Sequence, residues 1–371
     1  MLRALLLLTL TVAIDATAAT ADADPGVTGY RVDTIAEGLS EPWGLAFLPD
    51  GGLLVTERTG TLRRVRPDGS LSDPLAGVPP VYFAGQGGLL DVVLDPDFAA
   101  NRLVYLSYAH GDLTANATRV ARATLGEAGL DNLQVIFTVA PTKDTAQHYG
   151  GAMAFLGDGT LLLTTGDGFD YREQAQNRAA MLGKTIRIAA DGSVPADNPY
   201  VDANDAAAEV WTYGHRNPQG LVVDPASGRV YQHEHGPRGG DELNLLVPGR
   251  NYGWPAITYG MDYSGAYVSP FRELPGMEQP LIYWVPSIAP SGLAIYRGSA
   301  FPQWQGDLFI GALVDRELRR VDMENGAVMG QQSLLGELGE RIRNVEVGPD
   351  DFLYVITDGP EGRILRLSPA T

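Results

Sequence analysis

The sequence predicts an all-β chain folded as a six-bladed β-propeller. Three observations carry that prediction: one hairpin motif returns six times, its turns have tight-reversal chemistry, and helical periodicity is nearly absent. The copies begin "WGLAFLPDGGLLVTE" at Trp43, "GLLDVVLDPDFAANRLVYLSYA" at Gly88 and "GGAMAFLGDGTLLLTTGD" at Gly150. They continue "QGLVVDPASGRVYQHE" at Gln219, "SGLAIYRGSAFPQWQGDLFIGAL" at Ser291 and "IRNVEVGPDDFLYVITD" at Ile342. The mean step is about 60 residues, a self-similarity that signals a radial repeat. A tandem of β-sandwiches would lack this fixed inner hairpin.

Each copy is a Gly-apolar strand, an Asp/Pro/Gly turn and a second strand rich in β-formers. Several copies add a third strand, as in "GTLRRVRPD" and "GRILRLSP". The segment around Tyr30–Ile35 is expected to complete the last blade and close the ring. One short helix is expected near Arg172 to Met181. The 45 glycines and 25 prolines suit many short strands joined by turns. No Ser/Pro-rich linker divides the blades, so residues 24–371 read as one domain.

Residues 1–23 read differently. One arginine, an apolar run from Ala4 to Ile14 broken only by Thr9 and Thr11, and then "DATAATADAD" are the parts of a secretory signal peptide. The run falls short of the ~20 residues a membrane span needs. Cleavage between Ala18 and Asp24 would deliver the chain to the periplasm or beyond. There is no cysteine, so neither a disulfide nor a cysteine-linked lipid contributes. A net charge of −18 argues against nucleic acid and anionic membranes as partners. It also makes clustered arginines informative, because the surrounding field opposes a bound anion.

In a propeller, the turn entering each blade's first strand and the loop leaving its second strand meet around the central channel. Candidate site residues therefore sit beside the repeated entries. Gln86 lies in "AGQGGLLDV", His148 in "QHYGGAMAF" and Asp167 in "TTGDG". Arg216 and Asn217 lie in "GHRNPQGLVVD", Ser287 in "PSIAPSGLAIY", and Arg341 and Arg343 in "ERIRNVEVG". His148 with Asp167 one hairpin away has the form of a base with its orienter. Three arginines at channel-facing slots suit a bound polyanion with carboxylates.

The stretch "VYQHEHGPRGGDELN" leaves two metal chemistries open. His233 and His235 share one face of a strand, which admits imidazole ligation of a transition metal. The carbonyls of Gly236 and Pro237, with Asp241 and Glu242, offer hard oxygen donors that favour calcium.

Taken together, "GQGGLLDV", "HYGG", "TTGDG", "GHRNPQG", "HEHGPRGGDELN", "NYGWP", "PSIAPSG" and "RIRNVEVGPDDFLYVITD" resemble one family in order. It is the soluble aldose sugar dehydrogenases that use pyrroloquinoline quinone (PQQ). The resemblance runs from about Gly38 to Leu367. It implies PQQ and Ca2+ as cofactors, with His148 as base and Asp167 as its orienter. Arg216, also catalytic, would hold the quinone together with Gln86, Asn217, His235, Ser287, Arg341 and Arg343. The carbonyls of Gly236 and Pro237 would ligate the calcium that grips PQQ. Glu242 and the carbonyl of Tyr252 would hold a second calcium. On this reading the histidines of "HEH" are not the metal ligands.

Two departures stand out. A lysine common among relatives is missing near Val314, where Arg316 is the available cation. Tyr283 and Trp284 fall one position out of register with the aromatics that cover the sugar in glucose-specific relatives. The absence of long insertions favours a broad-specificity monomer. The expected partners are an aldose and an external electron acceptor, whether quinone, cytochrome or dye. Alternatives on the same scaffold are oxidation of another sugar-derived carbonyl such as sorbosone, a calcium-dependent lactone hydrolase, or a non-catalytic binding propeller.

Overall fold

Every repeated motif forms the two inner strands of one antiparallel sheet, and six such sheets stand around a common axis. The computed structural model describes residues 29–370 and the two-residue strand Thr17–Ala18. The rest of the expected leader lies outside the described residues. From the axis outward, blade 1 is Pro42–Phe47, Leu53–Glu57 and Thr61–Val65. Blade 2 is Leu89–Leu94, Leu103–Gly111, Asn116–Leu125 and Leu130–Thr138. Blade 3 is Met153–Phe155, Leu161–Thr165, Lys184–Ile188 and Val210–Tyr213. Blade 4 is Pro218–Val223, Val230–Glu234, Asp241–Leu246 and Ile282–Trp284, with Thr17–Ala18 parallel to the last. Blade 5 is Pro290–Ile295, Leu308–Ala312, Glu317–Glu324 and Ala327–Leu334.

Blade 6 joins the two ends of the chain. Ile342–Val347, Leu353–Thr357 and Gly362–Pro369 come from the C-terminal end, and Tyr30–Leu39 pairs antiparallel with Gly362–Pro369 as its outer strand. The expected closure is therefore present. The inner strands pack side by side from blade 1 through blade 6 and back to blade 1, completing the circle. Five of the six second strands are buried throughout, and that of blade 2 in all but its ends, because a sheet lies on each face of them.

Neighbouring blades are stitched by one recurrent device. A hydroxyl on the second strand of one blade donates to a carbonyl on, or just before, the next blade's inner strand. Thr56 reaches Leu90, Ser107 reaches Gly151 at 2.6 Å and Thr164 reaches Pro218 at 2.9 Å. At the equivalent place blade 4 carries His233, paired with Gly220. A Cβ on Gly220 would stand 2.0 Å from the imidazole, so the glycine is what admits the ring. His233 is wholly buried, and burial pushes its pKa down to about 4. The first histidine of "HEH" is thus part of the packing between blades.

Helical content is small. The expected helix near Arg172 to Met181 is one 3-10 turn, Arg172–Ala175, because the chain from 176 onward follows the bonds of the loop and of Lys184 instead. A four-residue turn, Phe98–Asn101, went unanticipated within the second motif. Among the described residues no helix is long and apolar enough to cross a membrane.

The core of blades 5 and 6 centres on Trp304, 1% exposed, stacked on Phe301 at 4.0 Å between ring centroids and tilted against Phe309. Trp304→Ala is expected to destabilise the protein by about 3–5 kcal/mol in chemical denaturation. Turnover below the transition should hardly change, because the residue belongs to the blade 5 and 6 core and not to the axis.

Candidate active site

The turn entering blade 3 carries His148 and the loop leaving its second strand carries Asp167. The His148 backbone is held at φ +49°, a conformation non-glycine residues seldom adopt and which concentrates at functional sites. Its amide donates to the Gln86 side chain at 2.8 Å. Gly166 lies so close beneath that a Cβ there would meet the His148 carbonyl at 2.2 Å. This approach sets Asp167 Oδ1 2.6 Å from His148 Nδ1. Asp167 is itself pinned: Phe169 N–H donates to Oδ1 at 2.8 Å and the Trp254 indole to Oδ2 at 2.7 Å.

With a carboxylate as partner, Nδ1 carries the proton and Nε2 presents a lone pair. Burial holds the His148 pKa below the ordinary range. Asp167 opposes that depression, while Arg216 and Lys143 add to it. The pair has the geometry of a general base and its orienter.

Arg216 and Asn217, in the turn entering blade 4, face the pair. The Arg216 guanidinium donates to the carbonyls of His235 at 3.1 Å and Gly236 at 2.6 Å, and lies over the Trp254 and Tyr263 rings. Its backbone N–H donates to Glu234, which also accepts from His215 Nδ1 at 2.9 Å. Asn217 Oδ1 accepts from Gly150 N–H at 3.2 Å. Arg341 and Arg343 share Asp358 at 2.8 and 2.9 Å, and Arg343 also reaches Gln219. Two guanidiniums on one carboxylate leave a net positive patch. Arg216 makes no carboxylate pair at all among the described residues, so both places are prepared for an anion.

The carbonyl partners of Arg216, namely His235 and Gly236, line a cavity of about 870 Å³ together with Pro237, Ser287 and Val314. Arg216 and Arg343 border smaller cavities of about 190 and 290 Å³. His235 Nε2 is buried without a hydrogen-bond partner, and burial keeps the ring well below the usual histidine pKa. An orphaned neutral imidazole on a cavity wall fits a polar ligand placed against it.

Asp241 has a different task from metal binding. Its oxygens accept from the Gly236, Ile288 and Ala289 amides and the Ser287 hydroxyl, fastening the "HGPRGGD" turn to the "PSIAP" turn. Among the described residues no group of three or more His, Cys, Asp or Glu forms a metal cage. A cation here would therefore depend on carbonyls such as those of Gly236 and Pro237, the donor type calcium accepts.

The region of Glu242 and Tyr252 also suits a cation. Glu242 lies directly across the strand pair from Glu234, and burial together with that neighbour raises its pKa well above the usual range. The Oδ1 of Asn244 beside them is buried and unpartnered. Paired carboxylates with an orphaned amide oxygen form an oxygen-donor set lacking its positive charge.

Residues 39–366 match the family described as Glucose / Sorbosone dehydrogenase. The chain belongs to the glucose/sorbosone dehydrogenase family. It is 43% identical over 345 residues to the aldose sugar dehydrogenase YliI of Escherichia coli, covering 91% of this chain and 93% of that one. Among solved structures, a glucose dehydrogenase superposes with a TM-score of 0.89 at 48% identity, over 92% of this chain and 100% of the other. The PQQ-bound form of an aldose sugar dehydrogenase from Streptomyces coelicolor gives 0.77 at 31% identity, over 92% and 99%. The resemblance drawn from the eight motifs is correct at the level of family and fold.

Within this dehydrogenase-family chain, both departures from the family pattern have a place in the structure. Arg316, the cation near Val314, lies outside the lining of the large cavity and donates to the Gly339 carbonyl at 3.2 Å. Trp284 covers no substrate. It is 2% exposed and its indole donates to Gln331. Tyr283 stacks on Tyr259 at 3.7 Å. The aromatics that do face the site are Phe169, edge-on to His148 at 5.1 Å, and Tyr263, stacked on Phe169 at 6.4 Å. Trp254 was visible only as part of "NYGWP", and Lys143 had no visible motif at all.

Proposed function

We propose that the protein is a PQQ- and calcium-dependent dehydrogenase that oxidises aldose sugars at the anomeric carbon to aldonolactones. The observation that carries this reading is the buried His148–Asp167 pair, together with Arg216, which has no carboxylate partner among the described residues, and the orphaned His235 nitrogen on the wall of a cavity. The aldose loses a proton from its anomeric hydroxyl and a hydride from the carbon bearing it. His148 Nε2 takes the proton, and Asp167 stabilises the imidazolium through Nδ1. PQQ, with calcium as Lewis acid, supplies the two-electron acceptor when bound.

The chain's own part is position and charge. Arg216, Arg341 and Arg343 meet the carboxylates of the quinone, and Gln86, Asn217, His235 and Ser287 hold its polar edge. The carbonyls of Gly236 and Pro237 take the active-site calcium. Glu242 and the Tyr252 carbonyl take a second, structural one. An external acceptor removes the electrons; the leader-like N-terminus supports a periplasmic or secreted location, and the lack of long insertions between blades supports a monomer.

Apoprotein tested by dye reduction with a panel of aldoses should be inactive until PQQ and calcium are both added. Full turnover without either one would refute the cofactor assignment, and quinone binding without any sugar oxidation would refute the substrate class. The pH dependence follows from the His148 environment. A base whose pKa lies below the ordinary histidine value of ~6.5 stays neutral at and above that pH and is lost only as pH falls through its lowered pKa. The acidic limb of kcat/KM should therefore lie below the usual histidine range. A limb above it would exclude His148 in this environment as the titrating group.

A further inference from the structure

Lys143 is one of two lysines sunk into the protein beneath the catalytic loop. It is 3% exposed. Its ammonium donates to Asn116 Oδ1 at 2.9 Å and the Thr145 carbonyl at 2.5 Å, and it lies 3.5 Å from the centroid of the Tyr149 ring. The stem passes under Gly168, where a Cβ would stand 2.8 Å from Lys143 Cδ. Thr145 then donates to the Gly168 carbonyl at 2.6 Å. Lys143 is thus joined through Thr145 to the residue that follows Asp167, and makes no ion pair among the described residues.

The charged groups facing it are few. Asp167 and Asp144 attract it, and Asp144 is itself bonded to the Tyr171 hydroxyl at 2.7 Å. Burial pushes the Lys143 pKa down to about 7 against that attraction. Lys184, also buried, faces Asp167 from the other side, but its three hydrogen bonds to the carbonyls of Gln174, Ala175 and Leu182 hold the loop after Asp167. Around His148 the charges are Asp167, Arg216 and Lys143.

We propose that Lys143 is a positioning residue for the His148–Asp167 pair, its ammonium serving as the non-contacting counter-charge of Asp167. The physical need is simple. A carboxylate 2.6 Å from an imidazole in a water-poor site pulls a proton onto the ring, and an imidazolium cannot act as base. Trp254 and Phe169 orient Asp167 with neutral donors but bring no full charge. Lys143 brings one, built in beneath the loop, and limits that pull whether or not a cofactor is bound. This rests on the reading of His148 as base, but the electrostatic coupling can be tested apart from turnover.

The test is an NMR titration of the His148 imidazole in apoprotein, with pH profiles of kcat/KM in protein loaded with PQQ and calcium. Lys143→Met should raise the His148 midpoint and move the acidic limb upward by the same amount, a loss of activity at acid pH that disappears at alkaline pH. Lys143→Arg should restore both. Should Lys143→Met fail to fold, Lys143→Gln keeps a donor toward Asn116 and Thr145 without the charge, and the His148 midpoint should again rise. An unchanged midpoint in a folded variant overturns the proposal. A uniform loss of kcat across all pH values, with the midpoint fixed, marks a merely structural lysine and overturns it too. If the midpoint moves while wild-type protein oxidises no sugar, the coupling stands and the proposed function fails.

Discussion

His148→Ala is expected to lower kcat by roughly 10²- to 10⁴-fold, the contribution a positioned general base makes, with quinone binding retained. Nothing else stands where Nε2 stands: Phe169 meets the ring edge-on and Arg216 is cationic. The left-handed backbone at this position disfavours most replacements, so His148→Asn, whose side chain tolerates that conformation, should be made beside it. Both variants should bind PQQ in an absorbance titration and fail in dye reduction. A loss below tenfold in either would assign the base elsewhere. Weakened quinone binding with normal kcat would make His148 a cofactor contact only.

Asp167→Asn is expected to cost as much, on the order of 10³- to 10⁴-fold, through the tautomer of the imidazole. The Trp254 indole N–H needs an acceptor at Oδ2 and the Phe169 N–H needs one at Oδ1. An amide has only one oxygen. Wherever its NH2 group faces His148, Nδ1 becomes the acceptor and the proton moves to Nε2, which then cannot take one from the sugar. The loss should appear in kcat, with a smaller loss of thermal stability of about 1–3 kcal/mol, since one of those two buried N–H groups is left facing an NH2. Combined with His148→Ala, it should add little, because the two residues act as one unit. An additive double mutant would show that Asp167 works independently of the histidine.

The ring was legible because its evidence is redundant. Six copies of one hairpin fix the inner strands, and the closing strand follows from the need to pair the edge of Gly362–Pro369. The 172–181 helix was misjudged because local propensity yielded to Lys184, whose ammonium organises three carbonyls of that loop. Within the site, His148, Asp167 and Arg216 could be found because blade entries have fixed places in the repeat. Asp241 and His233 could not be read correctly from type alone. An aspartate near "GPRGG" looks like a ligand until its oxygens are seen taken by amides and a hydroxyl, and His233 looks like one until Gly220 is seen making room for it. Lys143 lay in no repeat slot, and its importance comes from enclosure, which a sequence does not display.

The ring's last blade joins Tyr30–Leu39 to the C-terminal strands, and this bears on when the protein can become active. Arg341 and Arg343 hang from that blade and are steadied by Asp358, whose strand neighbour Gly362–Pro369 is in turn covered by Tyr30–Leu39. A nascent chain halted before residue 358 already owns His148, Asp167 and Arg216 but lacks the carboxylate that sets the other two arginines. Tyr30–Leu39, made early, must wait for Gly362–Pro369, made last, before either is covered. Completion of synthesis, and not the mere presence of the base, thus arms the site, and a truncated product is left without an assembled anion clamp.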